Sequence, residues 1–287
     1  KSALSDGLHT NGVFYYYNGS TWSRVATPML QTGASMHIMN AIVGQTDYNN
    51  GNPGVLVGVG EKGRIDVLRL QDEPGNTAYS GQNRFGKLWP TVEDTTRDLY
   101  AVDAQQTYGG DFLAGGQAGL YAKVTPGEYT RLTVTVSGDG SRTSLNANEN
   151  ITGIRYASLS RVFVLTSTFA DGDRYSAAGK ACSGGTQTTR LYKTTNSSGS
   201  FQFLGQISHC GYGIAVGQRS VSNGLENNVV WIATSNGIYQ YDEFLGGGIS
   251  GPLSGTSGKK LYSVTATPER GGEGVNLLKD GGFEAWT

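Results

Sequence analysis

Val229-Val230-Trp231-Ile232-Ala233-Thr234, then Ser235-Asn236-Gly237, then Ile238-Tyr239-Gln240-Tyr241-Asp242 reads as two short strands around a tight turn. β-Branched and aromatic residues suit a pleated, half-buried surface. Asn-Gly supplies the positive-φ residue that a tight hairpin needs. The pattern recurs upstream. Phe112-Leu113-Ala114-Gly115-Gly116 runs through Gln117-Ala118-Gly119 into Leu120-Tyr121-Ala122-Lys123. Val55-Leu56-Val57-Gly58-Val59-Gly60 runs through Glu61-Lys62-Gly63 into Arg64-Ile65-Asp66-Val67. A fourth copy is interrupted: Arg161-Val162-Phe163-Val164-Leu165-Thr166 meets its partner Arg190-Leu191-Tyr192-Lys193-Thr194 only after a polar insertion.

Taking Val13, Ile65, Leu120, Leu191 and Ile238 as equivalent points, the spacings are 52, 55, 71 and 47 residues. Five units of about 57 residues account for all 287. Each hairpin is preceded by an alternating segment, at 37–43, 99–104, 151–158, 214–219 and 261–267. A fourth strand follows at 87–92, 129–136, 201–207, more weakly at 248–253, and at 21–26 near the N-terminus. Four antiparallel strands per unit is the pattern of a propeller blade. The expected fold is therefore all-β, a single five-bladed β-propeller over residues 1–287. Its last blade is assembled from strands at 261–267 and 275–278 and from N-terminal strands at 13–17 and 21–26, which closes the ring and removes an open sheet edge. A two-sheet β-sandwich is the alternative, and it predicts no repeat.

The stretch Trp231-Ile232-Ala233-Thr234-Ser235-Asn236-Gly237-Ile238-Tyr239-Gln240-Tyr241-Asp242 resembles the unit of two-component-regulator-type propellers, W-I-G-T-x-x-G-L-x-x-Y-D. Gly12-Val13-Phe14-Tyr15-Tyr16-Tyr17-Asn18-Gly19-Ser20-Thr21-Trp22 resembles the following turn of those units and of BNR-like propellers. The resemblance implies blade packing and carries no active site. Asn276-Leu277-Leu278-Lys279-Asp280-Gly281-Gly282-Phe283-Glu284-Ala285-Trp286 looks like the opening strand of bacterial carbohydrate-binding jelly rolls. That likeness implies the start of a further domain near 275–287, beside the simpler reading of a blade strand and a capping tail.

Composition narrows function. Apolar residues make up 37% and charged residues 16%, with 44 Gly and 16 Tyr. Lys+Arg 22 against Asp+Glu 23 leaves a net charge of -1, so no basic field exists to hold a nucleic acid backbone. No run approaches the roughly 20 apolar residues of a membrane span. Low charge with abundant Gly, Ser, Thr, Asn and Tyr points to an extracellular, cell-surface or periplasmic protein.

Innermost blade strands line a propeller channel, and their polar members are the candidate ligand-binding residues: His37, Asn40, Asp98, Tyr100, Asp103, Arg155, Tyr212 and Tyr262. Glycosidic cleavage needs two carboxylates flanking one bond. Asp98 and Asp103 come from one blade, and Asp47 and Glu269 stand near the ends of strands in two others, with no motif joining them. No Gly-x-Ser-x-Gly elbow occurs. Asp171 and Asp173 are too few for a Ca²⁺ site, and no cofactor or metal is expected. The function expected is a non-catalytic secreted or cell-surface module that binds a protein partner or sits in a larger multidomain or multisubunit assembly. The alternatives are a glycan-binding propeller and, last, a glycoside hydrolase with channel carboxylates.

Cys182 and Cys210 are an even pair in a secreted-looking chain, which suggests one disulfide across a 28-residue separation. Such a bridge would contribute about 3–4 kcal/mol by restricting the unfolded chain. Two reduced, separately buried thiols are the alternative. Intact-mass measurement with alkylation distinguishes them: protein from its natural source should take up no alkyl group until it is reduced. Two freely alkylated cysteines would remove the bridge.

Overall fold

The computed structural model describes residues 15–17, 22–24, 39–47, 52–60, 63, 65–69, 97–104, 112–117, 119–125, 128–158, 160–168, 188–221 and 224–266. Every regular element among them is a β-strand. The chain divides into two compact units, residues 1–130 and 131–287.

In the first unit β1 (Tyr15–Tyr17) pairs antiparallel with β2 (Trp22–Arg24). β3 (Met39–Asp47), β4 (Asn52–Gly60) and β5 (Ile65–Arg69) form an antiparallel meander. β6 (Leu99–Ala104), β7 (Phe112–Gly116), β8 (Gly119–Thr125) and β9 (Glu128–Leu132), at the boundary of the units, form a four-stranded sheet in sequence order. β6 and β7 are buried along their whole length. Continuous burial means that both faces of a strand are covered. On one side Leu99, Val102, Phe112, Ala114 and Tyr121 pack with Val57, Val59 and Ile65 of the neighbouring meander.

The second unit repeats this arrangement. β10 (Thr135–Ser137), β11 (Glu149–Ser158), β12 (Arg161–Thr168), β13 (Thr189–Thr194) and β14 (Ser200–Ile207) form a sheet in the order β10-β14-β13-β12-β11. β15 (Gly211–Val221), β16 (Gly224–Thr234), β17 (Gly237–Asp242) and β18 (Ile249–Ser250) form another in sequence order. Phe163, Leu165, Leu191 and Ile207 of the first meet Ile214, Val230, Ile232 and Tyr241 of the second in one core. The outermost long strand, β14, falls back to partial exposure.

The sequence-predicted hairpins are present. Thr234 pairs with Gly237, whose φ of 103° closes the turn, and a Cβ there would lie 2.6 Å from the carbonyl oxygen of Thr256. Gly119, with φ 114°, closes the turn from β7 to β8 in the same way. An L-residue with a side chain would be strained at either position.

Three strand expectations are corrected. The continuous strand at 129–136 is two: β9 pairs with β8's sheet, while β10 turns to pair in parallel with β14. The crossing is made where Thr135 N donates to Gly199 O at 3.0 Å and Gly199 leaves room for Thr133, whose carbonyl oxygen would lie 2.1 Å from a Cβ. The strand at 248–253 shrinks to β18, because Gly248 and Gly251, at φ 77° and 142°, break the extended backbone on either side. Residues 261–266 form no strand and have no ladder partner among the described residues. They are fastened instead by Leu261 N donating to Thr234 O at 2.9 Å and lie against Gly213 and Gly217 of β15. The expected strands at 87–92 and 275–278 lie outside the described residues.

Glycine sets the closeness of the two sheets in the second unit. A Cβ at Gly153 would lie 2.5 Å from Ile214 Cγ2, and one at Gly211 would lie 2.7 Å from Thr189 Cγ2 and 2.9 Å from Leu165 Cδ2. Gly211→Ala should therefore cost about 1–3 kcal/mol through overpacking. Gly247→Ala, where a Cβ meets nothing within 4 Å, should stay within about 0.5 kcal/mol of wild type. Urea unfolding of both variants checks the pair, and equal effects would refute the close-approach argument.

Candidate functional site

Among the described residues two clusters of charged and aromatic side chains stand out, both in the second unit. The first is built on the start of β11. Glu149, whose side chain is 0% exposed, accepts hydrogen bonds from Thr166 Oγ1 at 2.6 Å, Tyr192 Oη at 2.8 Å and Asn146 N at 3.2 Å. The Arg142 guanidinium donates to it and to Asp139. Arg190 approaches the same two carboxylates, at 3.4 Å from Asp139 and 3.9 Å from Glu149. Burial pushes the Glu149 carboxyl upward, but the hydroxyls of Thr166 and Tyr192, the Asn146 amide and the Arg142 charge outweigh it and hold it below the usual range. Burial and the facing Glu149 charge push the Tyr192 phenol up. The members of this cluster come from the 138–148 loop, β11, β12 and β13, so it fastens that loop to the three strands.

The second cluster begins at Tyr212 on β15. The chain reaches it through the turn after β14, where Thr189 Oγ1 donates to His209 O at 2.6 Å and Ser167 Oγ donates to Gly211 O at 2.9 Å. The segment after β18 comes back to the same place. Thr256 accepts from Ile238 N through Oγ1 at 3.0 Å, Lys259 N donates to Thr256 O at 3.1 Å, and Leu261 N is held by Thr234 O. Gly213 makes room: a Cβ would lie 3.1 Å from Tyr262 O. The Tyr212 and Tyr262 rings then meet at 5.1 Å between centroids, tilted by 44°. Lys260 Nζ lies over both, 5.6 Å from the Tyr212 centroid and 5.1 Å from that of Tyr262. Tyr212 is buried, while Tyr262 is 57% exposed. Burial pushes the Tyr212 phenol up against the opposing pull of Lys260. Burial also lowers Lys260, but its hydrogen bond to Tyr262 and the facing phenols more than offset this and keep it protonated.

The other sequence-predicted site residues are placed as follows. Asn40 lies on β3. Asp98 precedes β6, and its amide donates to Gln117 Oε1 at 3.4 Å. Tyr100 and Asp103 are buried on β6. Arg155 on β11 donates to the adjacent carbonyl of Ile154 at 3.0 Å. His37 and Cys182 lie outside the described residues, as do Glu269, Asp171 and Asp173. Cys210 is buried at the turn before β15. Asn196, in a glycosylation-type triplet, accepts from Tyr156 Oη at 2.7 Å. Sequence reading brought Tyr212 and Tyr262 onto one list but missed Lys260, although Lys259-Lys260-Leu261-Tyr262 sets two cations beside an aromatic. It also missed Glu149, whose partners come from three other segments with no shared motif. Among the described residues no group of three or more His, Cys, Asp or Glu side chains is arranged to hold a metal, and no helix is long and apolar enough to cross a membrane.

No protein-family model and no curated protein matches the chain. Among solved structures, the crystal structure of BBS1N in complex with ARL6DN, soaked with lead, is similar at 15% identity and a TM-score of 0.41, over 81% of this chain and 53% of that one. An S. cerevisiae complex containing a Dbp5 variant, Nup159, Gle1, IP6 and ADP is similar at 13% identity and a TM-score of 0.31, over 74% of this chain and 52% of that one. The chain thus spans about half the length of each.

Glu149 yields a pH prediction. Its folded value lies below the ordinary one of about 4.3, so its contribution is complete above that pH and fades as pH falls towards the folded value. Glu149→Gln should cost about 3 kcal/mol at neutral pH. In urea melts the gap to wild type should hold from about pH 8 to about pH 5 and narrow below about pH 4. A gap unchanged at about pH 3 would refute the assigned charge coupling.

Proposed function

We propose that this chain is a five-bladed β-propeller that serves outside the cytosol as a non-catalytic binding module for a protein partner. The ordered antiparallel meanders, the glycine-closed hairpins and the repeat of sheet-on-sheet cores support the propeller reading. The low-charge composition supports the location. A Cys182–Cys210 bridge belongs to the same reading, supported by the burial of Cys210 beside the sheet whose long insert carries Cys182.

The observation that carries the binding reading is the turn after β17. Phe244 and Leu245 are 65% and 64% exposed. Their amides donate to Asp242 Oδ1 at 3.0 and 3.2 Å, so the turn is set before anything binds. Glu243 is engaged from behind by Lys193 at 2.7 Å and Arg161 at 2.8 Å, which hold its carboxyl below the usual range against the upward push of burial. Two apolar side chains presented on a fixed turn suit the apolar, aromatic-rich core that protein interfaces bury. A second reading, glycan binding, is favoured by the Tyr212–Lys260–Tyr262 cluster, because exposed aromatic faces stack on sugars.

A photo-crosslinking residue at position 244, used in the natural source, should trap one discrete protein. That protein, purified, should bind wild type with a Kd of about 10 μM or tighter, and Phe244→Ser with Leu245→Ser should weaken it by about tenfold or more. The double variant should melt within about 2 °C of wild type, because both side chains are exposed. Undiminished binding by the double variant, or no trapped protein, would refute the reading.

A further inference from the structure

The turn after β17 offers more than its two apolar side chains. Beyond Leu245 the chain runs through Gly246, Gly247 and Gly248, and a Cβ at any of the three would meet nothing within 4 Å. Gly246 and Gly248 lie at φ 64° and 77°, a conformation that itself favours glycine, whereas Gly247 has no positive φ. Gly246 N donates to Asp242 O at 3.2 Å. The amide and carbonyl of exposed Gly247 make no hydrogen bond among the described residues. Glycine's other use is to let a second molecule come close to the backbone, and position 247 is open for it. The charges beside this strip are matched within the chain. Lys193 donates to Glu243 Oε1 at 2.7 Å and Arg161 to Oε2 at 2.8 Å, and the Phe244 and Leu245 amides donate to Asp242 Oδ1. A charged group brought here by a partner would lose water and displace an existing pair to gain its own.

We propose that the turn at 244–248 docks an extended, uncharged and apolar segment of a partner protein, whose side chains cover Phe244 and Leu245 and whose backbone bonds to Gly247. This rests on the protein-partner reading above and names the chemistry of that partner. An extended polypeptide carries an N–H or a C=O to spare along each edge, so it can meet both backbone groups of Gly247, as in strand-like peptide recognition. A lipid surface would cover the two apolar side chains but leave those backbone groups without partners. The matched charges set the class of segment: apolar contact and main-chain hydrogen bonds supply the affinity, and neither depends on salt. A side chain at position 247 would stand where the partner's backbone has to come.

Selection of a random dodecapeptide library, displayed on phage, against the wild-type chain tests this, with counter-selection on Phe244→Ser combined with Leu245→Ser. The recovered peptides should share a core rich in Leu, Ile, Val and Phe and without Asp, Glu, Lys or Arg. Synthetic copies should bind with a Kd that changes by less than about twofold between about 50 and about 500 mM NaCl. Gly247→Val should weaken them by about tenfold or more and melt within about 2 °C of wild type, because its side chain meets only open space in the free chain. Gly247→Ala should act in the same direction with a smaller loss. If no peptide distinguishes wild type from the double variant, the extended-segment proposal is overturned, while the reading beneath it stands or falls with the protein trapped at position 244. Peptides that are lost with the double variant but bound equally well by Gly247→Val would overturn the backbone contact. A charged residue shared by the selected cores, or a loss of about tenfold over the salt range, would overturn the uncharged class. Flotation of wild type, but not of the double variant, with phosphatidylcholine vesicles would overturn the polypeptide in favour of a lipid surface.

Discussion

The second unit depends on how its chain passes from one sheet to the next between Ile207 and Gly211. Ser208 is exposed there, but Cys210 and Gly211 are buried, and a buried backbone must find partners for its polar groups, since each one left unsatisfied costs about 1–3 kcal/mol. Two hydroxyls meet the demand. Thr189 donates to His209 O and Ser167 to Gly211 O, and the Gly211 amide is shared between their oxygens, at 2.6 Å from Thr189 and 3.2 Å from Ser167. Both side chains are fully buried on central strands, β12 and β13. The first residue of β15 is thereby set at a fixed height against the preceding sheet. Tyr212 is the next residue, and its place follows. β15 in turn pairs with β16, whose Thr234 carbonyl fastens Leu261, so Lys260 and Tyr262 are positioned by the same chain of constraints.

The charged groups separate into two roles by their surroundings. Glu149 and Glu243 each face two cations and lie at junctions between strands and loops. Taking either away would leave buried or half-buried positive charge behind, so their contribution lies in holding the 138–148 loop and the β17 turn. Lys260 differs. Its contacts are with aromatic rings, Nζ lying 5.6 Å from the Tyr212 centroid and 5.1 Å from that of Tyr262.

How much of this could be read beforehand depends on how local the determining contacts are. The hairpins at Gly119 and Gly237 were legible, because a glycine that closes a two-residue turn at positive φ is a local feature of the turn sequence. The break between β9 and β10 was not. Residues 129–136 alternate without interruption, and the division arises only because Ser200–Gln202, far along the chain, offers a parallel edge and Gly199 a gap. Residues 261–267 alternate like a strand as well, yet the described part lies across Gly213 and Gly217 with no ladder. Tyr212 and Tyr262 could be named as polar members of inner segments, but that they touch each other was fixed by two glycines and one backbone hydrogen bond outside either motif. Glu149 had no signal at all, since a lone acid at a strand start looks the same whether its partners lie in solvent or in three other segments.

The exposed turn and Tyr262 both belong to the stretch that follows β17, and their fixity has a common source. That stretch is pinned back onto the β16–β17 hairpin repeatedly: Leu253 N donates to Ile238 O at 2.8 Å, Ile238 N to Thr256 Oγ1, and Leu261 N to Thr234 O. Gly237 and Gly251 admit the contact, as a Cβ at either would meet Thr256 O at 2.6 Å or the Tyr239 ring at 2.8 Å. Binding residues usually sit on loops because loops tolerate change, and they usually pay for that freedom in ordering entropy. Here the loop follows a hairpin so closely that it has the hairpin's rigidity while keeping the sequence freedom of a connection. Side chains at 244 and 245, both exposed, can therefore vary without disturbing the ladder beneath.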